Sequence, residues 1–115
     1  MIVDDNAQIR KVIRSVLEDS ADAFCDCGDG DDALQAYEQF RPDWVLIDIG
    51  MNRMDGITAT EQIKNRYPDA KVIVVTEYGD NFFKDAARKA GAIDFVLKEH
   101  LSDILEIVDK TRRGG

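Results

Sequence analysis

The stretch Trp44-Val45-Leu46-Ile47-Asp48 places a run of apolar residues directly before a carboxylate. A short apolar run of this kind is typical of a strand that is buried on both faces of a sheet. Because ligands bind outside the carboxyl ends of parallel strands, Asp48 is a candidate site residue. Three other runs end in the same way: Ile2-Val3 before Asp4 and Asp5, Val72-Ile73-Val74-Val75 before Thr76, and Phe95-Val96-Leu97 before Lys98.

The residue types at these strand ends indicate phosphate chemistry that depends on a metal ion. Together they would supply three carboxylates, one hydroxyl and one ammonium group. Carboxylate oxygens suit a hard divalent cation such as Mg²⁺. Lysine and threonine side chains suit a phosphoryl group.

Strand and helix patterns alternate along the whole chain. The apolar side chains of Ile9, Val12, Ile13, Val16 and Leu17 recur at helical spacing. A second strand is predicted from Ala23 to Cys27, followed by a helix that is capped by Asp31 and ends near Phe40. A third helix is opened by Gly56, and a fourth is capped by Asp80 and closed by Gly91. The last helix has four apolar residues on one face: Leu101, Ile104, Leu105 and Val108. Five βα units with short connections predict a parallel sheet covered by helices on both faces.

These residues resemble the receiver domains of bacterial two-component response regulators. The resemblance rests on Ile2-Val3-Asp4-Asp5, on Ile47-Asp48 with Met54-Asp55-Gly56 after it, on Val74-Val75-Thr76 and on Phe95-Val96-Leu97-Lys98. It implies a flavodoxin-like, doubly wound α/β fold of three α/β/α layers, with five parallel strands in the order 2-1-3-4-5 and five helices. It also implies a receiver domain over residues 1–112, with residues 113–115 as a tail or linker.

The resemblance assigns a role to each site residue. Asp48 would be the phosphoacceptor, with Lys98 and Thr76 contacting the phosphoryl group. Mg²⁺ would bind Asp5 and Asp48 directly, Asp4 through water, and the backbone carbonyl of Gly50. Thr76 and Phe95 would form the switch, and Glu77 and Tyr78 would modulate the rates of phosphorylation and dephosphorylation.

Expected partners follow from the resemblance and from charge. A sensor histidine kinase or a phosphotransfer protein would donate the phosphoryl group, a homodimer is left open, and the chain is not expected to be an enzyme beyond its own phosphorylation. The net charge of −8 disfavours direct binding to nucleic acid.

No apolar run approaches the length of a membrane span, so a cytoplasmic location is expected. Residues Met54 to Thr60 and Tyr67 to Ala70 are most similar to receivers attached to C-terminal helix-turn-helix domains.

Several alternatives stay open from the sequence. Asp4 and Asp5 could cap a helix, Lys98 could be an ordinary exposed lysine, Thr76 an ordinary strand residue, and Phe95 part of the core. Glu77 stands where the family prefers a small residue, which favours a degenerate receiver that binds partners without phosphate. A phosphohydrolase using an aspartyl-phosphate is less well supported, because such enzymes usually have a second aspartate at the position of Gly50. The first strand is short, and Asn52 replaces a common proline.

Overall fold

The computed structural model describes residues 1–50, 55–77 and 79–114. Strands and helices alternate through these ranges, as the sequence predicts. The elements are β1 (Ile2–Val3), α1 (Ala7–Leu17), β2 (Asp26–Cys27), α2 (Ala33–Phe40), β3 (Val45–Ile47), α3 (Gly56–Arg66), β4 (Val72–Thr76), α4 (Asn81–Ala90), β5 (Asp94–Leu97) and α5 (Asp103–Gly114). Asn52 and Tyr78 lie outside the described residues.

The strands form one parallel sheet in the order β2-β1-β3-β4-β5, which confirms the predicted topology. The order in which the chain adds strands to the sheet reverses between β1 and β3, and in folds of this kind ligands bind at the carboxyl ends of the strands at such a point. In the register of the sheet Val3 lies beside Ile47, and Ile47 lies beside Val74. The residues that follow these strands are therefore brought to the same edge.

Two apolar clusters cover the two faces of the sheet, because successive strand side chains point to opposite sides. Val3 and Ile47 pack in one cluster with Ile63 of α3, on the face covered by α2, α3 and α4. Leu46 packs in the other cluster with Ile104 of α5, on the face covered by α1 and α5. The result is the expected three-layer arrangement. None of the helices in the described ranges is long and apolar enough to span a bilayer.

The second strand is shorter than predicted. The sequence pattern predicts a strand from Ala23 to Cys27, but β2 contains only Asp26 and Cys27. β1 has two residues, and these pair with Asp26 and Cys27. Because β1 is the neighbour of β2 in the sheet order, β2 extends only as far as β1 reaches.

The predicted helix ends are correct with one exception. Asp80 caps α4 by accepting a hydrogen bond from the Phe83 N–H, and Gly91 closes the same helix in the left-handed region at φ 107°. The prediction that Asp31 caps the second helix is wrong. The carboxylate of Asp29 accepts from the Asp31 N–H instead, because Asp29 has the extended backbone of a capping residue and Asp31 already lies inside a 3₁₀ turn, Gly30–Asp32, that precedes α2.

A cavity of about 540 Å³ lies at the amino ends of the strands, on the opposite edge from the predicted site. Its lining includes Phe24, Trp44, Val108 and Met1. The Met1 amine donates a hydrogen bond to the Trp44 carbonyl at 2.7 Å. Burial of this amine lowers its pKa from 8.0 to about 6.

We expect the free energy of unfolding of this 115-residue chain to rise as the pH increases from about 6 to 8. Between these values the unfolded chain keeps the proton on Met1 while the folded chain releases it, so raising the pH favours the folded state. A shift of two pKa units corresponds to at most about 2.7 kcal/mol. Denaturant unfolding at several pH values measures the effect. An Nα-acetylated chain lacks the titrating amine and is the control; a rise of equal size in that chain would contradict the assignment.

Candidate functional site

The carboxyl edge of the sheet brings the predicted polar residues to one place. Asp4 follows β1 and Asp48 follows β3, and these strands are paired in register. Thr76 is the last residue of β4 and pairs with Leu97, which immediately precedes Lys98. Each side chain is therefore positioned by a strand whose remaining residues are anchored in the core.

Three carboxylates form a cluster at this edge. One oxygen from each of Asp4, Asp5 and Asp48 lies within 4.8 Å of the other two. Asp4 and Asp48 are almost fully buried, at 1% and 6% exposure, whereas Asp5 is exposed to solvent. Buried carboxylates of like charge are unfavourable unless a cation compensates them.

Lys98 supplies a positive charge between two of the carboxylates. Its Nζ lies 3.0 Å from Asp4 Oδ2 and 3.3 Å from Asp48 Oδ2. Burial lowers the pKa of Lys98, but the adjacent Asp4 and Asp48 outweigh that effect, and its pKa lies above the ordinary value. The ammonium group is therefore charged at neutral pH, and the alternative of an ordinary exposed lysine is wrong.

The carboxylate of Asp48 is held from both sides. The Gly50 N–H donates to its Oδ1 at 3.2 Å, and the Lys98 ammonium donates to its Oδ2 at 3.3 Å. Burial raises the pKa of Asp48 above 3.8, and these two contacts offset only part of the rise. The folded protein thus keeps a partly desolvated carboxylate in one orientation.

The donor set at this edge fits a divalent cation. Asp4 Oδ1 accepts a hydrogen bond from the Asn6 N–H, but Asp4 Oδ2 is buried without a hydrogen bond, although it is ion-paired with Lys98. A buried carboxylate oxygen next to two further carboxylates matches the preference of Mg²⁺ for oxygen ligands. The cluster keeps a net negative charge, because the single positive charge of Lys98 does not balance three carboxylates.

Gly56 brings α3 directly against the backbone of Asp48. A Cβ at position 56 would lie 2.1 Å from the Asp48 carbonyl oxygen, a distance that no side chain tolerates. Within α3, the buried Thr60 hydroxyl donates to the Gly56 carbonyl at 2.6 Å. Glycine is thus required at position 56 of the Met54-Asp55-Gly56 pattern, because only a residue without a Cβ allows this close approach.

The remaining predicted residues are at this edge or beside it. Thr76 is fully buried at the end of β4, and Glu77 is exposed immediately after it. Phe95 is half-buried and packs against the apolar cluster below α2, α3 and α4. Tyr78 lies outside the described residues. The roles of Thr76, Phe95, Glu77 and the Gly50 carbonyl stay predictions.

Two residues near the site were missed by the sequence analysis. Asn6, not Asp4 or Asp5, caps α1, since its side chain accepts from the Gln8 and Ile9 N–H groups. The capping alternative for the two aspartates is therefore wrong. Arg10 donates to the Asp4 carbonyl. The available signal for Asn6 was an asparagine just before a helical pattern, but the Arg10 contact had no local signal.

Comparison with known proteins gives a consistent result. The response regulator receiver domain family matches residues 1–109. The chain is 33% identical over 118 residues to the transcriptional regulatory protein DegU of Brevibacillus brevis, covering 100% of this chain and 50% of DegU. It is 35% identical over 115 residues to the chemotaxis protein CheY of Listeria monocytogenes, covering 98% of this chain and 97% of CheY.

Solved structures agree with the sequence comparisons. A chain in the crystal structure of the CheX–CheY–BeF3–Mg²⁺ complex from Borrelia burgdorferi superposes with a TM-score of 0.87 and 28% identity, covering 96% of this chain and 85% of that one. From the sequence comparisons, the chain spans half the length of DegU and nearly all of CheY.

We expect Asp48→Asn to stabilise the metal-free protein at pH 7. Because burial raises the pKa of Asp48 in the folded state, the ionised carboxylate destabilises that state at every pH above the raised pKa, and the penalty fades as the pH falls towards 3.8. The uncharged amide avoids this penalty. Urea unfolding in a metal chelator at pH 7 and near pH 4 measures the difference.

Mg²⁺ should reverse the order of stability. At a concentration one hundred times its Kd, a bound ion stabilises the wild type by about 2.7 kcal/mol, and the variant should gain less because it lacks one carboxylate. Asp69→Asn, at an exposed position, is the matched control and should respond to Mg²⁺ like the wild type. Equal Mg²⁺ stabilisation of Asp48→Asn would exclude Asp48 from the metal site.

Proposed function

Because the chain belongs to the family of response regulator receiver domains, we propose that it accepts a phosphoryl group on Asp48 and thereby switches its surface. Receiver domains act as phosphoacceptors in two-component signalling. The donor proposed here is a sensor histidine kinase or a phosphotransfer protein. The observation that carries the proposal is the Lys98 ammonium between the buried carboxylates of Asp4 and Asp48.

The chemistry assigned to Asp48 is a nucleophilic substitution at phosphorus. One carboxylate oxygen of Asp48 forms a bond to phosphorus while the bond from phosphorus to the donor imidazole nitrogen breaks. The electron pair of that bond returns to the imidazole, which takes up a proton. The product is an acyl phosphate on Asp48, a covalent species of the kind that carboxylate nucleophiles form.

Charge is the main obstacle to this reaction, since the attacking carboxylate and the phosphoryl group are both negative. A bound Mg²⁺ would neutralise that charge. Asp5 and Asp48 would hold the ion directly, Asp4 through water, and Gly50 through its carbonyl. The similar Borrelia burgdorferi chain comes from a complex that contains BeF3 and Mg²⁺, which supports the proposal of a bound Mg²⁺. Lys98 would pair with the phosphoryl oxygens as a point charge.

The proposed switch couples the new charge on Asp48 to the neighbouring strands. Phosphorylation adds negative charge and strong hydrogen-bond acceptors. Thr76 would donate its hydroxyl to the phosphoryl group, and Phe95 on β5 would change its rotamer in response. The face formed by α4, β5 and α5 would then present a different surface to a partner or to a second copy of the chain.

The relatives suggest two settings for such a switch. CheY is nearly the same length as this chain, whereas DegU is twice as long. We assign the receiver domain to residues 1–112 and residues 113–115 to a tail or linker, although α5 continues through Gly114. A cytoplasmic setting, without direct binding to nucleic acid, is part of the proposal.

A degenerate receiver is the second candidate, and Glu77 is the observation that favours it. This exposed carboxylate follows Thr76 directly, where it adds negative charge next to the strand end that should receive a dianion. The Lys98 ammonium forms ion pairs with Asp4 and Asp48, so its charge is already directed to the carboxylate cluster. A module of this kind would bind its partners without phosphate.

With Mg²⁺ and acetyl phosphate, the protein should gain one phosphoryl group at Asp48. Asp48→Asn should gain none, because an amide is a poor nucleophile. Asp69→Asn is the control for loss of one surface carboxylate and should react like the wild type. Intact-mass spectrometry measures the product, and phosphorylation of Asp48→Asn to the wild-type extent would refute the assignment. A wild type that never reacts would favour the degenerate receiver.

Replacing Glu77 with alanine should accelerate phosphorylation by acetyl phosphate about tenfold. Unit charges about 6 Å apart repel by about 3 kcal/mol at an effective dielectric constant of about 20, and solvent exposure reduces this considerably. Glu99→Ala removes an equally negative, exposed side chain next to Lys98 and is the matched control. The initial rate at fixed Mg²⁺ is the readout. If the rate of Glu77→Ala does not exceed that of Glu99→Ala, Glu77 does not hinder phosphorylation.

A further inference from the structure

Arg10 reaches from the first turn of α1 to the segment that carries the clustered carboxylates. Its Nη1 donates a hydrogen bond to the backbone carbonyl of Asp4 at 2.6 Å. The side chain is 21% exposed, and its Nε atom is buried. Charge-assisted hydrogen bonds of this kind are roughly twice as strong as neutral ones.

The contact with Arg10 completes the bonding of Asp4. The Asp4 N–H donates to the Cys27 carbonyl at 3.0 Å, and Asp4 Oδ1 accepts from the Asn6 N–H at 2.8 Å. Asp4 Oδ2 faces the Lys98 ammonium at 3.0 Å. The carbonyl is the remaining polar group of this residue, and Arg10 holds it.

That carbonyl belongs to the peptide group that joins Asp4 to Asp5. A peptide group is planar, so a contact that fixes its oxygen also fixes the direction in which the chain enters Asp5. Asp5 is exposed, and its side chain is not held by the core as those of Asp4 and Asp48 are. Its place in the cluster therefore depends on its backbone.

The guanidinium of Arg10 is itself oriented by β2. Its Nε lies 3.6 Å from Asp26 Oδ2 and is buried without a hydrogen bond. Arg14, one turn later on α1, contacts the other oxygen of Asp26 at 2.7 Å but is 46% exposed. The two arginines thus share one carboxylate, and the more buried of them also reaches Asp4. An incompletely bonded buried Nε is costly, and the contact with Asp4 offsets that cost.

We propose that Arg10 is a positioning residue for the metal-binding carboxylates. By holding the Asp4 carbonyl it fixes the peptide group before Asp5 and keeps the Asp5 carboxylate within reach of Asp4 and Asp48. The proposal rests on the proposed function, in which this cluster binds Mg²⁺.

Electrostatics and positioning make opposite predictions for loss of Arg10. Removing a positive charge near an acidic cluster strengthens cation binding if charge alone matters. Releasing a group that orients metal ligands weakens binding, typically by ten- to a hundredfold. The direction of the change therefore separates the two effects.

The test compares Arg10→Met with Arg14→Met in the 115-residue chain. Both variants remove one arginine from α1 and one contact with Asp26, but only Arg10→Met releases the Asp4 carbonyl. Calorimetric titration with Mg²⁺ should show a Kd about tenfold higher for Arg10→Met. Arg14→Met should bind as the wild type does or slightly more tightly. Arg10→Lys should recover most of the affinity, because an ammonium can donate to the same carbonyl.

A second readout in the metal-free protein separates this inference from the proposed function. The Asn6 amide donates to Asp4, so its hydrogen exchange, measured by NMR, should be faster in Arg10→Met and unchanged in Arg14→Met. An Arg10→Met protein with the wild-type Kd and the wild-type Asn6 exchange rate would overturn the positioning role. Absence of Mg²⁺ binding by the wild type would instead overturn the metal function, and the Asn6 exchange rate would still decide whether Arg10 holds this segment. If Arg10→Met does not fold, Arg10→Gln provides both readouts, because glutamine has a shorter side chain than arginine and a high helix propensity.

Discussion

The contact of the Lys98 ammonium with Asp4 and Asp48 is the interaction on which the rest of the site depends. Two carboxylates that are almost fully buried repel one another, and Lys98 lies 3.0 Å and 3.3 Å from their oxygens. One ammonium group cannot neutralise three carboxylates, so the cluster with Asp5 keeps a net negative charge. The folded protein thus holds carboxylates whose mutual repulsion lowers its stability. A divalent cation would relieve this repulsion, which makes binding of the ion more favourable.

The fold maintains this arrangement because the surrounding strands are anchored on both faces. Residues of β1, β3 and β4 are buried by helices on either side, and their register sets the depth of each residue at the carboxyl edge. Asp48 is also restrained from behind, where Gly56 allows α3 to touch its carbonyl. The side chains that meet at the edge can therefore carry unfavourable charge without rearranging, since moving them would require moving core strands.

The loop after β1 is restrained by polar contacts rather than by the core. Asn6 caps α1 with its side chain and donates its N–H to Asp4, while Arg10 binds the Asp4 carbonyl from the same helix. α1 therefore acts on the site through the segment that precedes it. The ion pairs of Arg10 and Arg14 with Asp26 extend this support to β2, the strand at the edge of the sheet next to the short β1.

The sequence by itself determined the alternation of strands and helices and the candidate residues at the carboxyl edge, because strands buried on both faces are apolar runs and a polar residue follows or ends four of them. The order of the strands in the sheet was an implication of the family resemblance. Asp4, Asp5, Asp48, Thr76 and Lys98 could be identified from that local pattern together with the family resemblance. Only the tertiary structure decided which charges meet, how far β2 extends, and that Arg10 contacts Asp4. These features depend on pairing between strands and on contacts across the turn from β1 to α1, and neither leaves a periodic signal along the chain.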